Sequence, residues 1–485
     1  MNLSRRQILS LLLVSAALPV WADARPPKRV KAQPVGDISS ILQHFAPSGT
    51  HSVVVADAIT VRIIEASHGD KSLPPASVAK ALTTVYALQS LGGNWRFKTR
   101  IIASGSRIEN GILQGDITLE GGGDPALDTD GLVDLIEQLS ARGITGITGR
   151  FGVYADALPY QRLLDRDQQE HVGYNPTISG MNLNFNRVFM EWTRNGDGHA
   201  FSFSAKTKAH NPAVRGVSIR AVNRKEPIYK YSQNGGRDNW TVAAPALGSK
   251  GNRWLPVRKP ADYAGEVFVT LAADFGITLP KANIIKKKPN GAVLAQNESA
   301  PLNSVCKSML KFSTNLTAET VGLSAALKRG VRPSSVAQSA RAMSDWFRDR
   351  FDLRDVRMVD HSGLSEVSRI SGREMVRVLS AIGWNGPLRP LMKPITLRDA
   401  DWKKAPVRGV NVMAKTGTLN FTSALAGYLE AASGQRLVFA IFTVDQRARA
   451  KIPKSKRDRA PGAKKWARKS RILQHQLLAR WGRVL

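Results

Sequence analysis

The residues that most constrain the fold of this chain are Lys415-Thr416-Gly417-Thr418, which stand inside the stretch 412–419. On an extended strand they would place a cation, hydroxyl groups and a position without a side chain next to one another. A cation and hydroxyls can hold a carboxylate, and a glycine lets the backbone of a substrate lie against the strand. Residues 437–442 form a later apolar run that is typical of a buried strand. We therefore predict that residues 415–418 lie on an edge strand and form a binding surface.

Ser77 is a candidate nucleophile because it stands where an extended segment ends and a helix begins. Residues 52–66 alternate in apolar character and predict a β-hairpin, and two prolines at 74 and 75 end the extended segment. The apolar positions that follow predict a helix ending at Gly92. Ser77 and Lys80 share one face at the start of that helix, where the helix N-terminus stabilises negative charge. A serine beside a lysine at this position can therefore act as a nucleophile with its base.

Neither the Ser-x-x-Lys pattern of Ser77 and Lys80 nor a Ser-x-Asn triplet is specific when it is taken alone. Two other Ser-x-x-Lys matches begin at Ser304 and Ser308, inside the run 304–329, which is predicted as one helix. The same run contains the triplet Ser313-Thr314-Asn315. A second Ser-x-Asn triplet begins at Ser232 among glycines and polar residues, and it is predicted to lie in a loop.

Two conspicuous segments are predicted to be structural. The glycine-rich segment 121–125 lacks the Lys-Ser/Thr of a phosphate-binding loop and the spacing of a dinucleotide site, so it is predicted to be a turn. His361 lies in the turn-rich segment 360–365. A catalytic base is one interpretation of it, but no carboxylate and nucleophile are arranged around it in the sequence, which favours a loop histidine.

The C-terminal part of the chain is strongly basic. Residues 450–463 contain two prolines and predict a solvated loop. Apolar residues then recur at helical spacing and predict a closing helix that packs on the core; they are Trp466, Leu473, Leu477 and Trp481.

The beginning of the chain predicts export. Arg5-Arg6 precede an apolar run that is too short to cross a bilayer comfortably, and small residues follow near position 23. The segment 4–9 fits a twin-arginine signal as well as an ordinary secretory signal, and both routes remain open. With residues 1–24 as signal peptide, the mature protein is expected in the periplasm.

Length and charge narrow the class of protein. A chain of 485 residues suggests two or three domains, and 42% hydrophobic residues are enough for packed cores. The single cysteine, Cys306, allows no intramolecular disulfide. The net charge of +32 indicates anionic surroundings. Because an exported protein meets cell wall and lipid, we expect peripheral contact with an anionic wall or membrane and no nucleic-acid partner.

Three motifs occur in order along the chain, and their combination is much more specific than each member. They are Ser77-Val78-Ala79-Lys80, Ser313-Thr314-Asn315 and Lys415-Thr416-Gly417. With the long interval between the first two motifs, the chain resembles the class C low-molecular-mass penicillin-binding proteins. This is the D-alanyl-D-alanine carboxypeptidase/endopeptidase family, peptidase family S13. The resemblance covers nearly all of the mature chain and includes segments 75–84, 121–125, 184–186, 362–365, 415–419 and 426–428.

The resemblance implies an α/β fold, namely a penicillin-binding protein/β-lactamase-like transpeptidase domain with a large inserted β-rich segment of two domains. Its sheet would combine the N-terminal hairpin with C-terminal strands. The implied divisions are a penicilloyl-serine transferase domain at 37–97 and 297–485, an inserted domain II at 98–165 and 243–296, and a nested domain III at 166–242.

The resemblance also implies a serine D-Ala-D-Ala carboxypeptidase, with endopeptidase activity as an open addition. Ser77 would attack the carbonyl between two D-alanines and form an acyl-enzyme. Lys80 would be the base, its pKa lowered by burial and by the positive charge of Lys415. Ser313 would relay a proton to the leaving amine, and Asn315 would hold Lys80 and the substrate amide.

The third motif would bind the end of the substrate. Lys415 would supply positive potential, the hydroxyls of Thr416 and Thr418 would bind the terminal carboxylate, and Gly417 would leave room for the substrate backbone. The N–H groups of Ser77 and Thr418 would form the oxyanion hole. The expected substrates are peptidoglycan peptides that end in D-Ala-D-Ala, the expected inhibitors are β-lactams, and no metal or organic cofactor is required.

Two departures and three alternatives accompany this interpretation. Thr314 stands where the family often has Asp, and His361 stands in a segment that is commonly Asp-Gly-Ser-Gly. A β-lactamase-like hydrolase would need a carboxylate to activate the deacylating water, and the sequence does not identify one. A catalytically inactive peptidoglycan-binding protein and a basic anion-binding protein are the other two alternatives.

Overall fold

The computed structural model describes residues 38–105 and 107–485, so the predicted signal peptide lies outside the described residues. The helices in these residues are α1 (Ser39–Phe45), α2 (Ala79–Leu91), α3 (Thr129–Ser140), α4 (Pro260–Asp274), α5 (Leu302–Phe312), α6 (Asn315–Lys328), α7 (Val336–Phe351), α8 (Gly372–Ile382), α9 (Gln446–Ala450) and α10 (Ala463–Val484).

The strands in the same residues are β1 (Thr50–Asp57), β2 (Ile63–Ser67), β3 (Lys98–Ala103), β4 (Ile108–Glu109), β5 (Ile112–Leu113), β6 (Ile117–Gly121), β7 (Gly146–Ile147), β8 (Phe151–Tyr154), β9 (Arg187–Asn195), β10 (Gly198–Ser204), β11 (Val217–Val222), β12 (Tyr229–Asn234), β13 (Arg237–Ala243), β14 (Lys250–Pro256), β15 (Asn283–Ile285), β16 (Ala292–Glu298), β17 (Lys393–Pro394), β18 (Asn411–Leu419), β19 (Thr422–Glu430) and β20 (Arg436–Val444).

A six-stranded antiparallel sheet joins the two ends of the chain. Its strand order is β17-β18-β19-β20-β1-β2. The predicted hairpin is confirmed as β1 and β2, and β1 pairs with β20 along its whole length. The N-terminal hairpin and the C-terminal strands therefore form one sheet, and the predicted α/β fold with β-rich insertions is confirmed.

Helices cover both faces of this sheet. Because successive side chains of a strand point to opposite faces, Val54 and Ala56 of β1 pack in a core with α2 and α5 to α8. Val53 and Val55 point the other way and pack with α1 and α10. The sheet thus lies between two helical layers. In one of these layers α2 carries Lys80 in its first turn, and Ser77 lies in the turn just before this helix.

The segment between α2 and α5 has a hydrophobic core of its own, formed by residues between Ile101 and Ala295. A five-stranded sheet in the order β15-β8-β6-β3-β16 packs there with α3 and α4. Three further sheets of three strands each complete this part, in the orders β10-β9-β14, β11-β13-β12 and β4-β5-β7. The insertion is therefore β-rich, as the resemblance implies.

Two local predictions are wrong. The run 304–329 is not one helix, because α5 ends at Phe312 and Ser313 adopts a left-handed conformation with φ 60° before α6 begins. Apolar periodicity continues across this break and hides it. The triplet that begins at Ser232 lies in strand β12 and not in a loop, and the glycines after it form the turn to β13.

The predicted solvated loop at 450–463 is also wrong in part. Residues Lys454–Arg459 form a 3-10 turn that contacts the segment 166–169. Gln169 Nε2 donates to the carbonyl of Ser455 at 2.7 Å, and Arg457 donates to the carbonyl of Asp167 at 2.9 Å. Helix α10 is confirmed, and none of the helices in residues 38–105 and 107–485 has the length and apolar character that a membrane span requires.

Candidate active site

Ser77 lies in a tight turn just before α2. The residues Ala76–Val78 form a 3-10 turn, and Ala76 has a positive φ of 45°. Strand β18 lies directly against this turn at Gly417. A Cβ at position 417 would approach the Ser77 nitrogen and the Pro75 carbonyl oxygen to 2.9 Å each, which explains the side-chain-free position.

Lys80 connects Ser77 to two other parts of the chain. Its buried Nζ donates to Ser77 Oγ at 3.1 Å, to Asn315 Oδ1 at 2.7 Å and to the Ser362 carbonyl at 2.8 Å. These contacts use the three protons of an ammonium group. Burial lowers the pKa of Lys80 to about 8, although the carboxyls of Glu319 and Asp360 act in the opposite direction.

Ser313 and Asn315 lie at the break between α5 and α6 and reach two different lysines. Asn315 accepts from Lys80, as described, and its Nδ2 donates to the Tyr174 carbonyl at 2.7 Å. Ser313 Oγ accepts from Lys415 Nζ at 3.1 Å. The structure therefore brings the side chains predicted from all three motifs into one site.

Lys415 is held between β18 and the helix break. Its Nζ also donates to the Thr416 carbonyl at 2.7 Å. Burial lowers the pKa of Lys415 to about 7, and the positive charges of Lys80 and Lys393 add to this effect. The two buried amines thus disfavour each other's charge.

The prediction of an edge strand holds for the relevant half of β18. The two-residue strand β17 pairs only with Met413 and Ala414, so residues 415–418 have β19 on one side and no paired strand on the other within the described residues. An extended peptide can therefore lie beside them.

A cleft of about 640 Å³ opens over these residues. The lining of the cleft includes Ser77, Ser313, Asn315 and Thr418. Gly417 is buried behind the cleft. Thr416 is exposed on β18 and is not among the residues that line the cleft. The other lining residues are Gln168, Tyr174, Leu364, Leu419, Asn420, Arg449, Arg457, Ala463, Lys464, Ala467 and Arg471. With four cations and, among the described residues, no acidic side chain, the lining favours anionic ligands.

Two buried carboxyls behind Lys80 were missed in the sequence. Glu319 accepts hydrogen bonds from the backbone N–H groups of His361 and Ser362, each at 2.9 Å. Asp360 accepts from the N–H groups of Gly363 and Ser365, each at 2.7 Å. The four-residue spacing between Asn315 and Glu319 was a usable signal, because residues at this spacing share one face of a helix.

His361 is fully buried beneath the cleft. Its Nε2 lies 2.9 Å from Ser339 Oγ, and burial lowers the pKa of its ring to about 3. Gly322 leaves room for the ring, since a Cβ there would come within 2.2 Å of His361 Cγ. The ring therefore fills space under the site and carries no charge at neutral pH, in agreement with the prediction of a loop histidine.

The comparison with known families agrees with this geometry. The profile of the D-Ala-D-Ala carboxypeptidase 3 (S13) family matches residues 35–465, which is most of the chain.

The chain belongs to the S13 family.

The relatives of known function that this chain matches are distant from it in sequence. D-alanyl-D-alanine carboxypeptidase DacB of Haemophilus influenzae is 25% identical over 450 residues, covering 89% of this chain and 90% of that protein. The D-alanyl-D-alanine carboxypeptidase of an Actinomadura species is 26% identical over 478 residues, covering 90% and 84%. The crystal structure of penicillin binding protein 4 from H. influenzae has a TM-score of 0.72 at 22% identity, covering 92% and 100%, and shows the same fold as this S13 chain.

Proposed function

We infer that the chain is a serine-type D-Ala-D-Ala carboxypeptidase that binds penicillin, and we propose Ser77 as its nucleophile. The observation that carries the proposal is the contact of Ser77 Oγ with the buried Lys80 amine at 3.1 Å, at the floor of a cationic cleft. Membership of the S13 family supports the reaction class.

The neutral amine of Lys80 takes the proton of Ser77 as its Oγ attacks the carbonyl between the two D-alanines. A lysine with an ordinary pKa of about 10.4 would be almost fully charged at neutral pH, so burial of Lys80 is what makes it a usable base. The N–H groups of Ser77 and Thr418 stabilise the oxyanion, because Gly417 brings β18 against the turn that carries Ser77.

Collapse of the tetrahedral intermediate requires a proton on the leaving amine. Ser313 Oγ, 3.1 Å from Lys415 Nζ, takes a proton from Lys415 and gives its own to the leaving amine, while the proton of Ser77 stays on Lys80. The pair of lysines therefore still holds one proton after this step. D-Alanine then leaves, and water hydrolyses the ester on Ser77. No organic cofactor or metal ion takes part in these steps.

The terminal carboxylate of the substrate selects which lysine is charged. Two buried amines that disfavour each other's charge share one proton readily and two protons poorly. A carboxylate held near β18 by Lys415 and the hydroxyls of Thr416 and Thr418 favours the charge on Lys415. The charge on Lys415 in turn favours the neutral, basic form of Lys80, so substrate binding prepares the base.

The cleft argues against two of the alternatives. A β-lactamase-like hydrolase needs a carboxylate at the deacylating water, and no acidic side chain is among the described residues of the lining. An inactive peptidoglycan-binding protein would not need a nucleophile and a base in contact, as Ser77 and Lys80 are. A long-lived penicilloyl-enzyme is therefore expected.

We propose the domain division that the resemblance implied: 37–97 with 297–485, 98–165 with 243–296, and 166–242. The separate core between Ile101 and Ala295 supports the outer boundary. Strand β14 belongs to the part 243–296 and pairs with β9 of the part 166–242. One sheet therefore crosses the inner boundary proposed at residue 242.

We also propose that the mature enzyme is periplasmic and that its positive charge holds it on anionic wall or membrane. The net charge of +32 and the exposed cations of α10 support this proposal. Binding to isolated sacculi should weaken steeply as the salt concentration rises. Salt-insensitive binding would contradict an electrostatic origin.

The test of the main proposal is labelling with a fluorescent penicillin. Wild type and Ser304→Ala should label equally, because Ser304 belongs to a Ser-x-x-Lys match on α5 that is outside the cleft. Ser77→Ala should not label. Release of D-alanine from a D-Ala-D-Ala peptide should follow the same order. Folded wild type that fails to label would favour the inactive, wall-binding alternative, and rapid loss of the label would favour a β-lactamase.

A further inference from the structure

Glu319 is a buried carboxyl that the proposed reaction does not use directly. It lies on α6, one turn after Asn315, and it is fully buried. Its two oxygens accept from two consecutive backbone N–H groups, those of His361 and Ser362, so the carboxylate holds this part of the loop by both peptide groups. Burial of a carboxyl group is costly unless it is well paired, which makes its position here informative.

The carbonyl of the same Ser362 accepts a hydrogen bond from Lys80 Nζ at 2.8 Å. Asn315 Oδ1 accepts a second one at 2.7 Å. A neutral amine has two protons and one lone pair. When these two oxygens take the two protons, the lone pair is left facing Ser77 Oγ, which is the third neighbour of Nζ at 3.1 Å.

We propose that Glu319 is a positioning residue for acylation: by fixing the Ser362 carbonyl it aims the lone pair of Lys80 at Ser77. Helix α6 thus orients Lys80 twice, directly through Asn315 and indirectly through Glu319 and the loop. This inference rests on the proposed roles of Ser77 and Lys80.

Glu319→Gln is the sharpest test. A glutamine amide has one acceptor oxygen and an NH₂ group, so it cannot accept from both N–H groups, and the NH₂ would face a donor. The loop must then shift, and with it the Ser362 carbonyl. A displacement of about 1 Å in such a geometry costs about 100-fold in rate. We expect the maximal rate constant of penicillin acylation to fall by about this factor, with little change in the affinity of the initial complex.

The pH profile separates positioning from charge. Four titratable groups act on the amine of Lys80 and its neighbours: Glu319 and Asp360 behind it, Lys415 on β18, and Asp165, whose charge acts on Asp360. Burial raises the pKa of Glu319, but the N–H groups of His361 and Ser362, which donate to both of its oxygens, favour its charged form. Removing that charge lowers the pKa of Lys80, so the fall in rate on acidification should move to lower pH. Loss of charge alone would therefore raise the acylation rate at acidic pH. A lower maximum of the pH profile together with this shift is the signature of positioning.

A matched control exists in the same domain. Glu374 on α8 is also a buried carboxyl that accepts from consecutive backbone N–H groups: those of Arg354 and Asp355 both donate to Oε1, each at 2.7 Å. Its Oε2 accepts from the Ser371 N–H at 3.4 Å, and none of its hydrogen bonds in the described residues involves Lys80. Glu374→Gln makes the same chemical change at this buried carboxyl: the amide oxygen can still accept from Arg354 and Asp355, but the NH₂ group would face the Ser371 N–H donor. It should lower the melting temperature while the acylation rate of the folded protein stays at the wild-type value.

Glu319→Asp covers the case in which Glu319→Gln fails to fold. It keeps the charge and shortens the side chain by one methylene, so the maximum of the pH profile should fall while the acid limb stays near that of wild type. Folded Glu319 variants that acylate at the wild-type maximal rate would overturn the inference. Wild type that does not acylate would instead overturn the proposed function, so the two failures are distinguishable.

Discussion

Replacement of Lys415 by methionine should change the shape of the pH profile and not only its height. Lys80 and Lys415 have pKa values lowered to about 8 and about 7, and each group disfavours the charge of the other. The pair therefore loses its two protons in two steps. The proposed reaction needs the form with one proton, in which Lys80 is neutral and Lys415 is charged.

The size of the effect follows from these two values. With steps at about 7 and about 8, enzyme with one proton on the pair is most abundant near pH 7.5, at about 60% of the total. These values place that proton mainly on Lys80, and the reactive arrangement with the proton on Lys415 is a smaller fraction that does not change with pH, so the two follow the same curve. It falls about 20-fold at pH 5.5 and again at pH 9.5. The second-order rate constant of acylation of the free enzyme should trace this bell. In Lys415→Met only Lys80 titrates, so the alkaline limb should disappear and a plateau should replace it.

The assay is a time course of labelling by a fluorescent penicillin at limiting concentration, from pH 5.5 to 9.5, with circular dichroism to show that the protein stays folded. The height of the Lys415→Met plateau should be lower, because the carboxylate of the ligand loses its cation. A wild-type rate that does not vary between pH 6 and 9 would refute the shared proton. An alkaline limb that persists in Lys415→Met would refute the assignment of that limb to Lys415.

Two substitutions of glycine test the packing around the site. In Gly417→Ala the new methyl group meets the Ser77 turn at 2.9 Å, about half an ångström inside an ordinary contact, and acylation should slow by about tenfold. In the control Gly248→Ala the nearest atom to the methyl group is the Lys250 carbonyl oxygen at 4.0 Å, an ordinary contact, and the rate should be unchanged. In Gly322→Ala the methyl group meets the His361 ring at 2.2 Å, and urea unfolding should show a loss of about 2 kcal/mol. A wild-type acylation rate in the first variant, or wild-type stability in the second, would contradict the packing described.

Much of the scaffold could be predicted from the sequence, because its signals are local. The β1–β2 hairpin has alternating apolar residues, α2 is bounded by prolines and glycines, and α10 has its apolar residues at helical spacing. Ser77 and Lys80 could be paired because residues three positions apart at the start of a helix lie on the same face, close to each other. These predictions needed no knowledge of distant parts of the chain.

The groups that orient Lys80 could not be predicted in the same way. The carbonyl of Ser362 and, on the far side of Asn315, the carbonyl of Tyr174 are backbone atoms, which every residue type provides. The contact between the 3-10 turn Lys454–Arg459 and segment 166–169 is likewise made to backbone carbonyls across nearly three hundred residues. Residue type carries little information about such contacts, so only the fold reveals them.

The break at Ser313 is different, because the sequence contained the means to predict it. Successive residues of an α-helix are rotated by about 100°, so residues two apart point in nearly opposite directions. A continuous helix over 304–329 would therefore have turned Ser313 and Asn315 away from each other. The predicted site required both side chains in one cleft, and the two predictions were incompatible. The left-handed conformation of Ser313, with φ 60°, resolves the conflict: it ends α5 and lets Ser313 face Lys415 while Asn315 faces Lys80.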